Sequence, residues 1–281
     1  GLIIILILLT GILIRAINHA PEETESTAYQ SGWLARIINF IRRHPAVTIV
    51  LSAYTVVMVS ESSWFYKEIL TWYDDIYTDQ LLNNFSLRQS FIRETMGRND
   101  FRFYPLSHQD LHILSWLTPY IKVWSLVSAL ELITTIILGC KIVQFANKSK
   151  ASSSLFLSGS LLFLFTSAAA FNYFQFIYSE RILTFLLALY IYNYCIYQRS
   201  GQQRNGLLAL LFALFIPFFK DTAILLAVVP AASTILLGSL GRMQNYPRWG
   251  SLNLSAWLKA YALEISLCSL TLFFLACFVM L

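Results

Sequence analysis

Eight stretches of this chain carry almost no charge: 2–14, 46–60, 116–139, 155–171, 182–197, 207–219, 222–240 and 260–281. A helix on the surface of a soluble domain keeps one polar face, but these stretches are apolar on every side. With their flanks, most approach the roughly 20 residues that cross about 30 Å of hydrocarbon. None shows the residue-by-residue alternation of a membrane barrel strand, and a backbone in lipid must otherwise satisfy its own hydrogen bonds as helix. The expected fold is all-α: a polytopic membrane helix bundle of about 7–8 spanning helices.

Composition supports this. Of 281 residues, 57% are hydrophobic and 12% charged, against about 45–50% and about 25% in soluble domains. A soluble enzyme, a disordered chain and a disulfide scaffold are thereby excluded. Cys140, Cys195, Cys268 and Cys277 lie within or at the ends of apolar runs, with no metal or disulfide spacing, and read as small hydrophobes. The net charge of +5 does not indicate nucleic acid, because the basic residues are scattered through the gaps between runs and form no single face.

Those gaps set the orientation. Taken alternately, one set holds Arg15, Arg36, Arg42 and Arg43, then Lys141, Lys148 and Lys150, then Arg199 and Arg204, then Arg242, Arg248 and Lys259. This set is expected on the cytoplasmic side. The other set comprises the long segment 61–115, the turn 172–181 and the pair Lys220-Asp221, all expected outside. Two domains follow: an N-terminal apolar segment and cytoplasmic linker over 1–44, and a membrane domain over 45–281 with its outer loop at 61–115. The chain opens on Gly1 inside an apolar run and stops at Leu281 inside another, so it is expected to be a fragment, truncated at the C-terminus. Trp33, Leu34, Ile37, Ile38 and Ile41 recur at helical spacing beside Arg36, Arg42 and Arg43. This is the pattern of a helix on the cytoplasmic leaflet, or of a basic anchor ahead of the Pro45 helix.

The outer segment holds eight of the 15 acidic residues and eleven aromatics. Phe65, Ile69, Trp72, Tyr73 and Ile76 predict an amphipathic interfacial helix, with a second around Leu81, Leu82, Phe85, Phe91 and Ile92. Asp74-Asp75 beside Trp72 and Tyr73 fits a general base with a supporting carboxylate; ordinary helix-start charges account for it too. Arg98 and Arg102, with Tyr104 and Pro105 following, fit either a phosphate clamp or interfacial arginines meeting lipid phosphates. His108 and His112 would share a helix face, but no third metal ligand is apparent. Ser179-Glu180-Arg181 and Lys220-Asp221 place charges at two outer helix ends, where they line a substrate path or neutralise themselves locally. Glu131 and Glu264 are more isolated inside apolar runs; either can pair with a neighbouring helix, and Glu264 is alternatively close enough to the cytoplasmic surface to be solvated.

The order of these elements resembles the type C membrane glycosyltransferases, and most nearly their uncharacterised bacterial members. The likeness rests on Asp74-Asp75, Gly97-Arg98 with Phe103-Tyr104-Pro105-Leu106, Ser179-Glu180-Arg181 and Lys220-Asp221. It implies transfer of a sugar from a polyprenyl-phosphate carrier to a glycan, lipid or protein acceptor on the outer face of a bacterial plasma membrane. By the same resemblance, Asp74 or Asp75 is the base of an inverting displacement, and Arg181 and Lys220, with Arg98 and Arg102, bind the donor phosphate. The resemblance also implies substrate contact by Trp72, Tyr73, Tyr104, Glu180 and Asp221, while interfacial anchoring accounts for the three aromatics equally. No cofactor is certain; some members use a divalent metal, which makes Asp74 and Asp75 candidate ligands as well. The rival class is a transporter or lipid-carrier flippase with Glu131, Glu180, Arg181, Lys220 and Asp221 along its path. That class predicts inverted repeats or broken helices.

Overall fold

In the computed structural model, the described residues are 33–64, 103–147, 152–175, 178–245 and 254–280. They form eleven α-helices: α1 (Trp33–Arg43), α2 (Pro45–Trp64), α3 (Gln109–Leu117), α4 (Ile121–Ala146), α5 (Ser153–Leu164), α6 (Ser167–Phe174), α7 (Glu180–Ser200), α8 (Gln203–Phe219), α9 (Ile224–Asn245), α10 (Leu254–Ala260) and α11 (Ala262–Met280). A 3₁₀ turn, Asp221–Ala223, leads into α9, and no strand occurs among the described residues.

Among the described residues, four segments are long and apolar enough to cross a membrane: α2, α4, the 3₁₀ turn with α9 (Asp221–Ser239), and α11. The pair α5 and α6 is bent by 73° at a short break and makes a fifth if it is one span. Four or five crossings are thus supported among the described residues, and the remainder of the expected seven or eight are not supported there. The physical reasons are local. Helix α7 is 21 residues long but interrupts its apolar side with Tyr190, Tyr192, Asn193, Tyr194, Gln198 and Arg199. Helix α8 has 17 residues, about 25 Å of rise, short of a full crossing. The run 2–14 lies outside the described residues.

The chain divides into two compact units, Gly1–Ser86 with Asp110–Arg181, and Leu87–Gln109 with Ile182–Leu281. In the first, α2 packs on α4 and α5 around Val47, Leu51, Met58, Ala129, Leu132, Ile136, Phe156 and Tyr173. Lipid tails are as apolar as these side chains, so hydrogen bonds and close packing, rather than escape from water, hold such helices together. Two serines of α4 supply the bonds. Ser125 Oγ donates to the carbonyl of Met58 at 2.9 Å, and Ser128 Oγ to that of Tyr173 at 2.8 Å. The α5–α6 break is capped locally: Thr166 Oγ1 accepts from the Ala169 amide at 3.2 Å, a standard N-cap.

In the second unit, α9 packs on α11, and α8 on both. Ala209, Ala213, Ala227 and Ala231 are buried at these contacts, where small side chains let backbones approach. The segment before α3 also belongs here. The Leu106 amide donates to the Phe218 carbonyl at 3.0 Å, and the Phe103 ring lies 5.8 Å from Phe218 and 5.6 Å from Phe274.

Candidate functional site

The first unit buries a charge cluster on a stripe that α4 presents by helical periodicity: Ser125, Ser128, Glu131 and Thr135. Spacings of three and four place these residues on one helix face. The serines tie α4 to α2 and α6. Thr135 Oγ1 accepts from the Tyr173 hydroxyl at 3.2 Å, and Glu131 faces Arg181, the second residue of α7.

Arg181 is only 1% exposed. Its Nη1 donates to Glu131 and its Nη2 to Asp110 of α3. Among the described residues, one guanidinium thus bridges two carboxylates from two other helices. A lone buried cation would be prohibitively costly, and pairing with hydrogen bonds is what makes burial affordable. The isolated Glu131 does pair with a neighbouring helix, as expected. The role of Asp110 was not foreseen, because no local motif marks it; its partner is 71 residues away. The polar stripe on α4, by contrast, was readable at i, i+3, i+6 and i+10.

In the second unit, the docked turn and the Lys220-Asp221 pair come together in sequence order. Lys220 caps α8 in an extended conformation, with its amide donating to the Ile216 carbonyl at 3.4 Å. Asp221 Oδ1 accepts from the Thr222 amide at 2.7 Å. Both residues are half-buried, whereas Tyr104 is buried. Because Leu106 bonds to Phe218, the stretch Phe103-Tyr104-Pro105-Leu106 is seated two residues from Lys220 along the chain. Glu180 opens α7 and is half-buried. Asp74, Asp75, Trp72, Tyr73, Arg98 and Arg102 lie outside the described residues, as do the two expected interfacial helices over 65–92.

His108 corrects one expectation. Helix α3 begins at Gln109, and His108 takes a left-handed backbone conformation with φ 65°, so the two histidines do not share a helix face. Among the described residues, no group of three His, Cys, Asp or Glu side chains could hold a metal ion.

The second unit also buries Glu264, 1% exposed, at the start of α11. Its Oε1 meets the Tyr194 hydroxyl at 3.0 Å and accepts from Gln198 Nε2. The same hydroxyl lies 2.8 Å from Thr234 Oγ1. Glu264 therefore pairs with α7, and through the Tyr194 hydroxyl is linked to α9; of the two alternatives, pairing holds and solvation at the surface does not. Its Oε2 has no hydrogen-bond partner among the described residues.

Apolar crossing helices joined by buried polar side chains define an α-helical integral membrane protein. No family model, no curated protein and no solved structure matches the chain.

Proposed function

We propose that the protein is a membrane glycosyltransferase that moves a sugar from a polyprenyl-phosphate carrier to an acceptor on the extracytoplasmic face of a bacterial plasma membrane. The observation that carries this reading is the bond between Arg181 and Asp110. Arg181 belongs to the Ser-Glu-Arg element of the resemblance, and Asp110 is the last carboxylate of the acidic outer segment. The end of that segment is thereby fastened to the helix opening at which the resemblance puts the donor.

In this reading the carboxylate of Asp74 or Asp75 takes the acceptor's hydroxyl proton. The acceptor oxygen bonds to the anomeric carbon, and the bond from that carbon to the phosphate oxygen breaks. Its electron pair leaves on the carrier phosphate, and the centre inverts. Lys220, Arg98 and Arg102 neutralise the leaving phosphate. Arg181 is already committed to two carboxylates, so it holds the outer segment in place or exchanges one carboxylate for phosphate, keeping its charge compensated. Trp72, Tyr73, Tyr104, Glu180 and Asp221 shape the sugar and acceptor sites, and a divalent metal, if one is used, falls to Asp74 and Asp75. The reading takes α7, α8 and the run 2–14 as further crossings, for a total of about 7–8.

The test is sugar transfer by full-length protein in lipid with polyprenyl-phosphate donors. Asp74→Asn or Asp75→Asn is expected to lower kcat by about 10²–10⁴-fold. Undiminished transfer by both variants overturns the base assignment.

A second reading is favoured by one specific observation. The 73° break between α5 and α6 lies in the unit that buries Arg181, and Tyr173 of α6 bonds to the α4 stripe that carries Glu131. A broken helix beside buried ionisable groups is what a transporter or lipid-carrier flippase uses. Movement of a labelled carrier lipid across proteoliposomes, with no glycosyl product, would select that reading.

A further inference from the structure

Helix α1 carries an apolar face that the described part of its own unit leaves uncovered. Phe40, His44, Val47, Leu51, Tyr54 and Met58 alternate at intervals of four and three and form one inner seam, buried or half-buried throughout. The two helices meet at His44, whose amide donates to the Phe40 carbonyl at 2.9 Å and whose carbonyl accepts from the Thr48 amide at 3.0 Å, with Pro45 opening α2. The His44 ring is held 4.8 Å from Phe40 and 4.9 Å from Phe156, its Nδ1 2.8 Å from Ser153 Oγ. Ser153 Oγ donates in turn to the Arg43 carbonyl at 3.0 Å. The rotation of α1 about its own axis is therefore set.

That rotation turns Leu34, Ile37, Ile38 and Ile41 roughly 60–160° away from the seam at 3.6 residues per turn. They are 44–57% exposed. Ile49 and Val56 are likewise exposed on α2, the crossing helix that follows, at 68% and 66%. Because α1 ends at Arg43 and the crossing helix begins at Pro45, this aliphatic face is held at the boundary of the membrane, where lipid is the neighbour at hand. Arg36, Arg42 and Arg43 are exposed along the rest of α1, which contains no acidic residue.

We propose that α1 is an anionic-lipid recognition helix. It seats Leu34, Ile37, Ile38 and Ile41 at the hydrocarbon boundary and sets Arg36, Arg42 and Arg43 against headgroup phosphates. The inference is independent of the glycosyl-transfer reading.

Hydrogen exchange over residues 33–43 of the full chain tests it, in nanodiscs of phosphatidylcholine alone and with about 30% phosphatidylglycerol added. Exchange is expected to slow by roughly tenfold with the anionic lipid, and to recover at high salt. The triple variant Arg36→Gln, Arg42→Gln, Arg43→Gln should erase the difference while leaving the protection of 121–146 intact. Ile37→Ser with Ile38→Ser should speed exchange in both membranes. Equal exchange in the two membranes overturns the proposal. So does protection that persists unchanged in detergent, because another part of the chain or a second copy then covers the face.

Discussion

Arg181 shows at a single position how a membrane protein makes a buried charge tolerable. Both terminal nitrogens are committed to carboxylates on other helices, so the side chain acts as a three-way joint. Arg181→Met leaves Asp110 and Glu131 facing each other without a cation, and is expected to cost about 3–5 kcal/mol. Thermal unfolding in detergent measures this. Adding Asp110→Asn and Glu131→Gln should recover most of the loss, because the penalty lies in uncompensated charge rather than in lost volume. If the single variant is as stable as wild type, Arg181 is not the joint described.

His44 makes a second prediction at this scale. Burial, and then the neighbouring Arg43 charge, hold its imidazole below the ordinary histidine range. A histidine whose folded value is lowered is neutral in both states above about pH 6.5, and there its contribution to stability is complete. Below that pH the unfolded chain takes up the proton first, so stability falls as pH drops toward the lowered folded value. His44→Gln should flatten the fall. An unchanged pH profile in that variant would assign the effect elsewhere. The position of His44 before Pro45 is plain in the sequence. That its ring lies between Phe40 and Phe156 depends on α5 arriving from more than 100 residues away.

At the scale of the element, close packing decides what can be substituted. A Cβ built on Gly159 of α5 would lie 2.7 Å from Cys140 Sγ of α4. Gly159→Ala should therefore destabilise by about 1–3 kcal/mol, and Cys140→Ala in the same chain should relieve it. A double-mutant cycle with no coupling would contradict the contact. In the second unit, Tyr194→Phe removes the hydroxyl shared by Thr234 and Glu264 and is expected to cost about 1–3 kcal/mol. Helix identity was largely legible in advance: α1, α2, α4, α9 and α11 fall on segments marked by periodicity or apolar runs. The break between α5 and α6 was not, since 155–171 reads as one uninterrupted run. Thr166 serves both ends, its Oγ1 donating to the Phe163 carbonyl of α5 and accepting from the Ala169 amide of α6, and a run of apolar residues conceals it.

The whole molecule adds the question of sidedness, which helix packing does not answer. Ser200, exposed at the end of α7, lies among the basic connections, and Thr222, exposed after α8, lies at the turn expected outside. In a chain with its four native cysteines replaced, Ser200→Cys should react with an impermeant maleimide from the cytoplasmic side, and Thr222→Cys from the outer side. Labelling of both from one side would show that α8 does not cross and would lower the span count. The candidate site divides along the same line. Charged pairs at helix ends were visible as Glu180-Arg181 and Lys220-Asp221, yet the partners of Arg181 come from α3 and α4.

By itself the sequence determined the membrane class, the helical backbone and the isolation of Glu131 and Glu264, because the cost of unsatisfied backbone and unpaired charge in lipid is local and can be read residue by residue. Only the tertiary structure decided which charges meet. Asp110, Glu131 and Arg181 are 21 to 71 residues apart in the chain, and their pairing depends on how α3, α4 and α7 are brought together, which no local spacing encodes.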